Sequence, residues 1–245
     1  MATLKTQALT YEGGGATLKG YLAVDEAAGG KRPGVLVVHE WWGQNDYVRG
    51  RARMLAELGY PALALDMFGD GRTAADPDEA GRLAGEVMQN WGRSSERFMA
   101  ALDLLKQQDA VDPQHVAAVG YCFGGGVALQ MARDGAPLDA VVSFHGSLAT
   151  ERPARPGSVK GKLLVQHGGD DTLVGDQQLA AFREEMDKAG ADYRVIVHDG
   201  AKHGFTNPEA TENGNKFSLP LGYDAQADKA SWDEMVKFFQ ALWKA

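Results

Sequence analysis

Hydrophobic positions along the chain switch repeatedly between short unbroken runs and runs of helical spacing, and the switching becomes regular from Pro33 onward. Short apolar runs bounded by turn residues read as buried strands, whereas apolar residues recurring every third or fourth position read as helix. Predicted strands lie at 35–39, 61–66, 116–119, 139–144, 162–167 and 193–198. Predicted helices lie at 47–58, 78–90, 94–108, 125–133, 176–188 and 224–242, with Asp76-Pro77 as a start signal for the second. Ahead of this alternation, residues 7–12 and 16–24 flank Gly13-Gly14-Gly15, which predicts an antiparallel hairpin at a sheet edge.

The pattern implies an α/β fold, a mostly parallel sheet of about eight strands with helices on both faces. Two connections, 147–161 and 204–222, read as long and irregular, the kind of segment that tends to be functional or mobile. Strand-helix alternation resumes beyond each without a shift in composition, so residues 1–245 are expected to form a single domain. No internal repeat interrupts the pattern.

Composition narrows the function. Many of the 31 glycines among 245 residues fall in apparent strand-to-helix turns, where backbone bends sharply or approaches a ligand closely. A net charge of −8 argues against nucleic acid as a partner, because phosphate binding calls for a concentrated basic surface. No apolar stretch reaches the length of a membrane span, and the first residues lack a secretory segment, so no membrane partner is expected and the cytoplasm is the expected compartment. A single cysteine forms no internal disulfide, which fits a reducing compartment and leaves its thiol free.

That cysteine lies at the centre of Gly120-Tyr121-Cys122-Phe123-Gly124, between a predicted strand and a predicted helix. Strand, sharp turn and helix are the context of a nucleophile elbow. The turn thrusts its central side chain into the open, flanking glycines relieve the crowding, and the positive end of the next helix favours thiolate. A buried structural cysteine is the bland alternative; the glycine spacing favours the nucleophile.

A thiol nucleophile needs a base, and the base needs an orienting acid. The stretch His167-Gly168-Gly169-Asp170-Asp171-Thr172-Leu173-Val174 puts acidic residues beyond a strand end, with Asp171 the candidate acid and Asp170 its rival. His203, in the loop before the last helix, is the candidate base, which gives the chain order nucleophile, acid, histidine. His39, His145, His167 and His198 end or follow strands and read as packed or hydrogen-bonded, while His115 precedes a strand at the opposite edge. His39-Glu40 has no second histidine at metal-motif spacing, so no metal site is expected there.

Gly120-Tyr121-Cys122-Phe123-Gly124-Gly125, the surroundings of Asp171 and His203, and His39-Glu40-Trp41-Trp42-Gly43 together resemble the dienelactone hydrolase family, over nearly the whole chain. The resemblance implies an α/β-hydrolase fold and hydrolysis of carboxylic esters or lactones without a cofactor. It further implies that Glu40 lies beside the thiol and helps to control its proton, and that the backbone N–H groups of Trp41 and Phe123 form the oxyanion hole. A glutamate at a buried strand end followed by two tryptophans is partly desolvated, which suits proton transfer.

The family pattern also breaks. Enzymes acting on dienelactone itself hold the substrate carboxylate with arginines, one shortly after the catalytic histidine, whereas this chain has Asn207 in that stretch. Arg82 could match another such arginine, although a solvated helix arginine is the simpler reading. Trp41, Trp42, Phe68, Trp91, Phe123 and Phe205 are expected near the mouth, suited to aryl or alkyl esters, with Trp41 and Phe205 the best placed and the others equally able to be core.

Three other activities compete with the ester hydrolase. The same thiolate could attack an activated phosphotriester whose phosphoryl oxygen is held by the two N–H donors. A dinucleotide site would need glycine spacing that Gly124-Gly125-Gly126 lacks. A non-catalytic binding or redox-sensing protein that exposes its thiol would need an external resolving thiol.

Overall fold

A computed structural model of the protein describes residues 2–243. Eight strands form one sheet in the order β1-β2-β4-β3-β5-β6-β7-β8, and seven helices accompany them among the described residues. The chain divides into two compact units, one ending at Ala118 and the other beginning at Val119.

In the first unit, β1 (Leu4–Gly13) and β2 (Ala16–Asp25) pair antiparallel, Gly13 opposite Ala16. The two residues left for the turn, Gly14 and Gly15, have φ of 56° and 72°. Positive φ at both turn positions matches the right-handed twist of the flanking strands and favours glycine. β2 pairs antiparallel with β4 (Ala62–Ala64), and β4 runs parallel to β3 (Arg32–Val38). Val35, Leu36, Val37 and Val38 are fully buried, which is why β3 reads as a continuous apolar run.

Helices α1 (Asp46–Glu57), α2 (Pro77–Gln89) and α3 (Trp91–Lys106) complete this unit. Asp76 caps α2 by accepting from the Glu79 N–H at 2.9 Å, with Pro77 at the first helical position. The expected start signal therefore works through side-chain capping.

β5 (Val111–Tyr121) leads into the second unit and begins earlier than its apolar run. There β6 (Ala140–Phe144), β7 (Lys162–Gly168) and β8 (Tyr193–His198) pair parallel in sequence order. α4 (Phe123–Arg133), α5 (Asp176–Ala189) and α7 (Ala225–Trp243) fall close to the expected helices. The connection 204–222 is not wholly irregular, because it contains α6 (Ala210–Phe217). Among the described residues no helix is long and apolar enough to cross a membrane.

Candidate active site

β5 ends at Tyr121, whose buried ring stacks on Phe144 of β6 at 4.9 Å between centroids. The next residue, Cys122, has φ 52° and ψ −120°, an arrangement that costs a non-glycine residue about 1–3 kcal/mol. Its N–H donates to Phe144 O at 3.0 Å, and its C=O accepts from the Gly125 and Gly126 N–H groups at 3.0 and 3.2 Å. The corner is thus fixed on both sides, and the free thiol at its tip is half-buried.

The close approach of strand and helix sets the glycine spacing. A Cβ at Gly120 would lie 2.1 Å from Gly124 O, and one at Gly125 would lie 2.5 Å from Ser143 Oγ. Phe123 opens α4, so Cys122 stands at the N-terminus of that helix, the positive end of its dipole. Behind the elbow, the buried Arg133 guanidinium of α4 donates two bonds to Glu185 of α5, each 2.9 Å, and a third to Leu148 O at 2.8 Å.

Asp171 follows the end of β7 and is buried. Its Oδ1 accepts from the Leu173 and Val174 N–H groups at 2.9 and 3.0 Å, leaving Oδ2 to accept from His203 Nδ1 at 2.8 Å. Asp170 is exposed, so of the two candidate acids it is Asp171 that meets the ring. On the ring's other side, Nε2 lies 3.1 Å from Cys122 Sγ. Cys122, His203 and Asp171 therefore form one continuous hydrogen-bonded chain.

Charge follows this geometry. Burial works to lower the His203 pKa, but the negative charge of Cys122, the bonds to Asp171 and the sulfur, and the Asp171 charge together push it up to about 10. Burial works to raise the Asp171 pKa, yet the bond and charge of His203 and the two loop amides carry it below the usual carboxylate value. Each partner thus favours the charged form of the other.

The backbone of His203 is held from the far end of its loop. Gly222 N–H donates to His203 O at 3.1 Å, Asp224 N–H donates to Phe205 O at 3.0 Å, and His203 forms an isolated bridge with Leu221.

The other expected site residues take varied places. Glu40 is buried just beyond β3, and Trp41 beside it is half-buried, its ring 5.1 Å from that of Trp42. Arg82 is exposed on α2 in ion pairs with Glu79 and Glu86, as a solvated helix arginine. Phe205 corrects the expectation that it lines the mouth. It is fully buried, its ring 5.2 Å from His145 and 5.2 Å from His198, because the turn after His203 carries it into the core with Ala201 and Ala227. Phe68, Trp91 and Trp42 are also buried, which leaves Trp41 and Phe123 half-exposed.

His39 donates through Nδ1 to Glu40 O at 2.6 Å and accepts at Nε2 from the Met67 N–H at 3.1 Å. Both ring nitrogens are committed to backbone, and burial holds the pKa low. The sequence reading treats His145 as an ordinary packed histidine, yet its ring lies 5.4 Å from that of His203. Its place at the C-terminal end of a buried strand, in Phe144-His145-Gly146, puts it on the same edge of the sheet as the elbow, the one sequence signal of that proximity.

Comparison with known proteins agrees with this architecture. The dienelactone hydrolase family matches residues 18–243. A dienelactone hydrolase-like promiscuous phosphotriesterase from metagenomic libraries is 38% identical, with 99% of each chain covered and a TM-score of 0.93. A solved structure named m3DLH is 37% identical, with 98% of each chain covered and a TM-score of 0.92. A protein of Aquifex aeolicus (strain VF5) with the provisional name carboxymethylenebutenolidase is 28% identical over 243 residues, which cover 97% of this chain and 99% of that protein. With an eight-stranded, mostly parallel α/β-hydrolase sheet and a family match spanning nearly its full length, this chain belongs to the dienelactone hydrolase family.

Proposed function

We propose that this protein hydrolyses carboxylic esters or lactones with Cys122 as nucleophile, His203 as acid and base, and Asp171 as the orienting carboxylate. The single observation that carries the reading is the hydrogen-bonded chain Asp171 Oδ2, His203 Nδ1, His203 Nε2 and Cys122 Sγ, which ends on a sulfur held at a strained corner. A pKa pushed up to about 10 keeps His203 protonated at neutral pH, so the ring starts the reaction holding the proton that the leaving group needs.

The thiolate attacks the carbonyl carbon, the C–S bond forms, and the carbonyl electrons move to oxygen. The Phe123 N–H donates to that oxyanion, and loss of one such donor typically costs about 2.7–4 kcal/mol. Collapse breaks the ester C–O bond, and His203 passes its proton to the departing alkoxide. Water then attacks the thioester while His203 takes a proton from it. The C–S bond breaks and the acid leaves, with thiolate and imidazolium restored. Glu40, as a control on the thiol proton, and the Trp41 N–H, as second oxyanion donor, enter this reading through the family resemblance.

Hydrolysis of p-nitrophenyl esters tests it. Cys122→Ala and His203→Ala are each expected to lose at least ~10³-fold in kcat. Undiminished turnover by a folded Cys122→Ala protein would refute the assignment.

A side activity on activated phosphotriesters is favoured by the 38% identity to a promiscuous phosphotriesterase. Turnover of a paraoxon-like ester is expected to survive a chelator and to stop on alkylation of the thiol. Dependence on added metal would remove this second activity.

A further inference from the structure

We propose that His145 and Thr206 are a positioning pair that holds the His203 ring at Cys122, an inference that rests on the cysteine-hydrolase reading for its catalytic meaning. β6 ends at Phe144, and the residue after it, His145, has φ 39°, in the left-handed region that is uncommon outside glycine and in which asparagine, aspartate and histidine are the best tolerated. Its N–H donates to Gln166 O of β7 at 2.8 Å, so its backbone is anchored in the sheet. From that anchor its fully buried ring reaches the loop of the base at three points.

It meets His203 edge-on, with centroids 5.4 Å apart and an interplanar angle of 66°. It meets Phe205 in the same manner at 5.2 Å and 77°. Its Nε2 shares a 2.7 Å hydrogen bond with Oγ1 of the fully buried Thr206. Thr206 lies within the turn closed by Asn207 N–H to Gly204 O at 2.9 Å, so the hydroxyl ties the turn that carries the base back to β6.

His203 needs such a tie because it must satisfy two partners at once. Nδ1 has to stay on Asp171 while Nε2 stays on the sulfur, and a small rotation about either side-chain bond that keeps one contact loses the other. The bonds from the far end of the loop fix the His203 backbone but not the rotation of its ring. His145 supplies a wall against the ring and a link to the loop, both fixed to the sheet. A misplacement of about 1 Å can cost on the order of 10²-fold in rate.

Thr206→Val keeps the shape and removes the hydroxyl, Thr206→Ser keeps the hydroxyl, and His145→Asn tolerates the left-handed backbone while removing the ring. Three quantities are read for each variant: p-nitrophenyl ester kcat and KM, the rate of Cys122 alkylation by iodoacetamide at pH 7, and the melting temperature.

Thr206→Val and His145→Asn are expected to lower kcat by about 10- to 100-fold with KM nearly unchanged. Alkylation is expected to slow in parallel, because the sulfur has lost its proton partner. Thr206→Ser is expected to recover most of both losses. A structural role alone lowers the melting temperature and leaves kcat and alkylation at wild-type values in the folded fraction, and that result would overturn the proposal. Should Thr206→Val fail to fold, His145→Asn carries the same test. Alkylation needs no substrate, so it decides the positioning role even if ester turnover proves independent of Cys122 and the hydrolase reading falls.

Discussion

Each unit of this molecule buries a histidine and an aspartate close after strand ends, yet the two sets are wired differently. In the first unit, Asp66 accepts four backbone N–H groups, from Lys19, Phe68, Gly69 and Gly71, at 2.8–3.1 Å. His39 there spends both ring nitrogens on backbone as well. In the second unit, Asp171 gives one oxygen to two loop amides and keeps the other for a side chain. His203 spends neither ring nitrogen on backbone: one meets a carboxylate and the other a thiol.

Burial and position are nearly the same in both sets. What separates a loop organiser from the proposed reaction centre is whether polar atoms are left for another side chain. The two histidines register the difference, since burial keeps the His39 pKa below its ordinary value while its partners lift that of His203 to about 10.

The largest test of the contrast exchanges the two acids. Asp171→Asn is expected to cut ester kcat by about 10³- to 10⁴-fold, because the amide no longer stabilises the imidazolium or fixes its tautomer. An Asp171→Asn enzyme within tenfold of wild type would erase the distinction. Asp66→Ala is expected to do the opposite, lowering unfolding free energy in urea by about 2–4 kcal/mol as its loop amides lose a charged acceptor, with kcat of the folded protein little changed. Intact stability with lost activity would place Asp66 in the chemistry instead.

Glu40→Gln gives a smaller effect. As a control on the thiol proton it is expected to reduce kcat/KM by about tenfold and to change the shape of the pH profile, whereas a spectator glutamate moves neither.

The gentlest test varies pH. A folded-state pKa raised to about 10, against an unfolded value of ~6.5, makes the stabilisation linked to His203 complete below ~6.5. It declines above that and is gone once pH passes about 10. Asp171, shifted down, contributes fully above ~3.9 and loses its contribution as pH falls through its lower folded value. The urea stability of wild type relative to His203→Gln should therefore shrink between pH 7 and 11, and a flat difference would contradict the charged ring.

Much of this was legible because strands and helices advertise themselves by period. The glycine spacing around Cys122 encodes a steric fact, the approach of Gly120 to Gly124 O, and so it survives translation into sequence. Other features left no such trace. α6, with the sequence ATENGNKF, lacks both a side-chain cap bond and a long apolar stripe. β5 begins at Val111, but its exposed stretch Pro113-Gln114-His115 hides the start from a search for apolar runs.

The burial of Phe205 is not legible in the sequence, because adjacency to a candidate catalytic histidine does not say which way a ring turns. The tie between His145 and Thr206 joins residues 61 positions apart, and nothing local to either announces the other.

The paired ends of the loop that begins at His203 have a practical consequence. Because residues 203–205 are stitched directly to 221–224, the intervening segment leaves and returns at almost one point, like a bag closed at its neck. The segment between the ends is itself tied to the neck, with Tyr223 N–H donating to Thr211 Oγ1 at 3.0 Å, so changes confined to its exposed positions leave the neck shut. Evolution and the protein engineer thus share a stretch of surface to vary without re-aligning the imidazole.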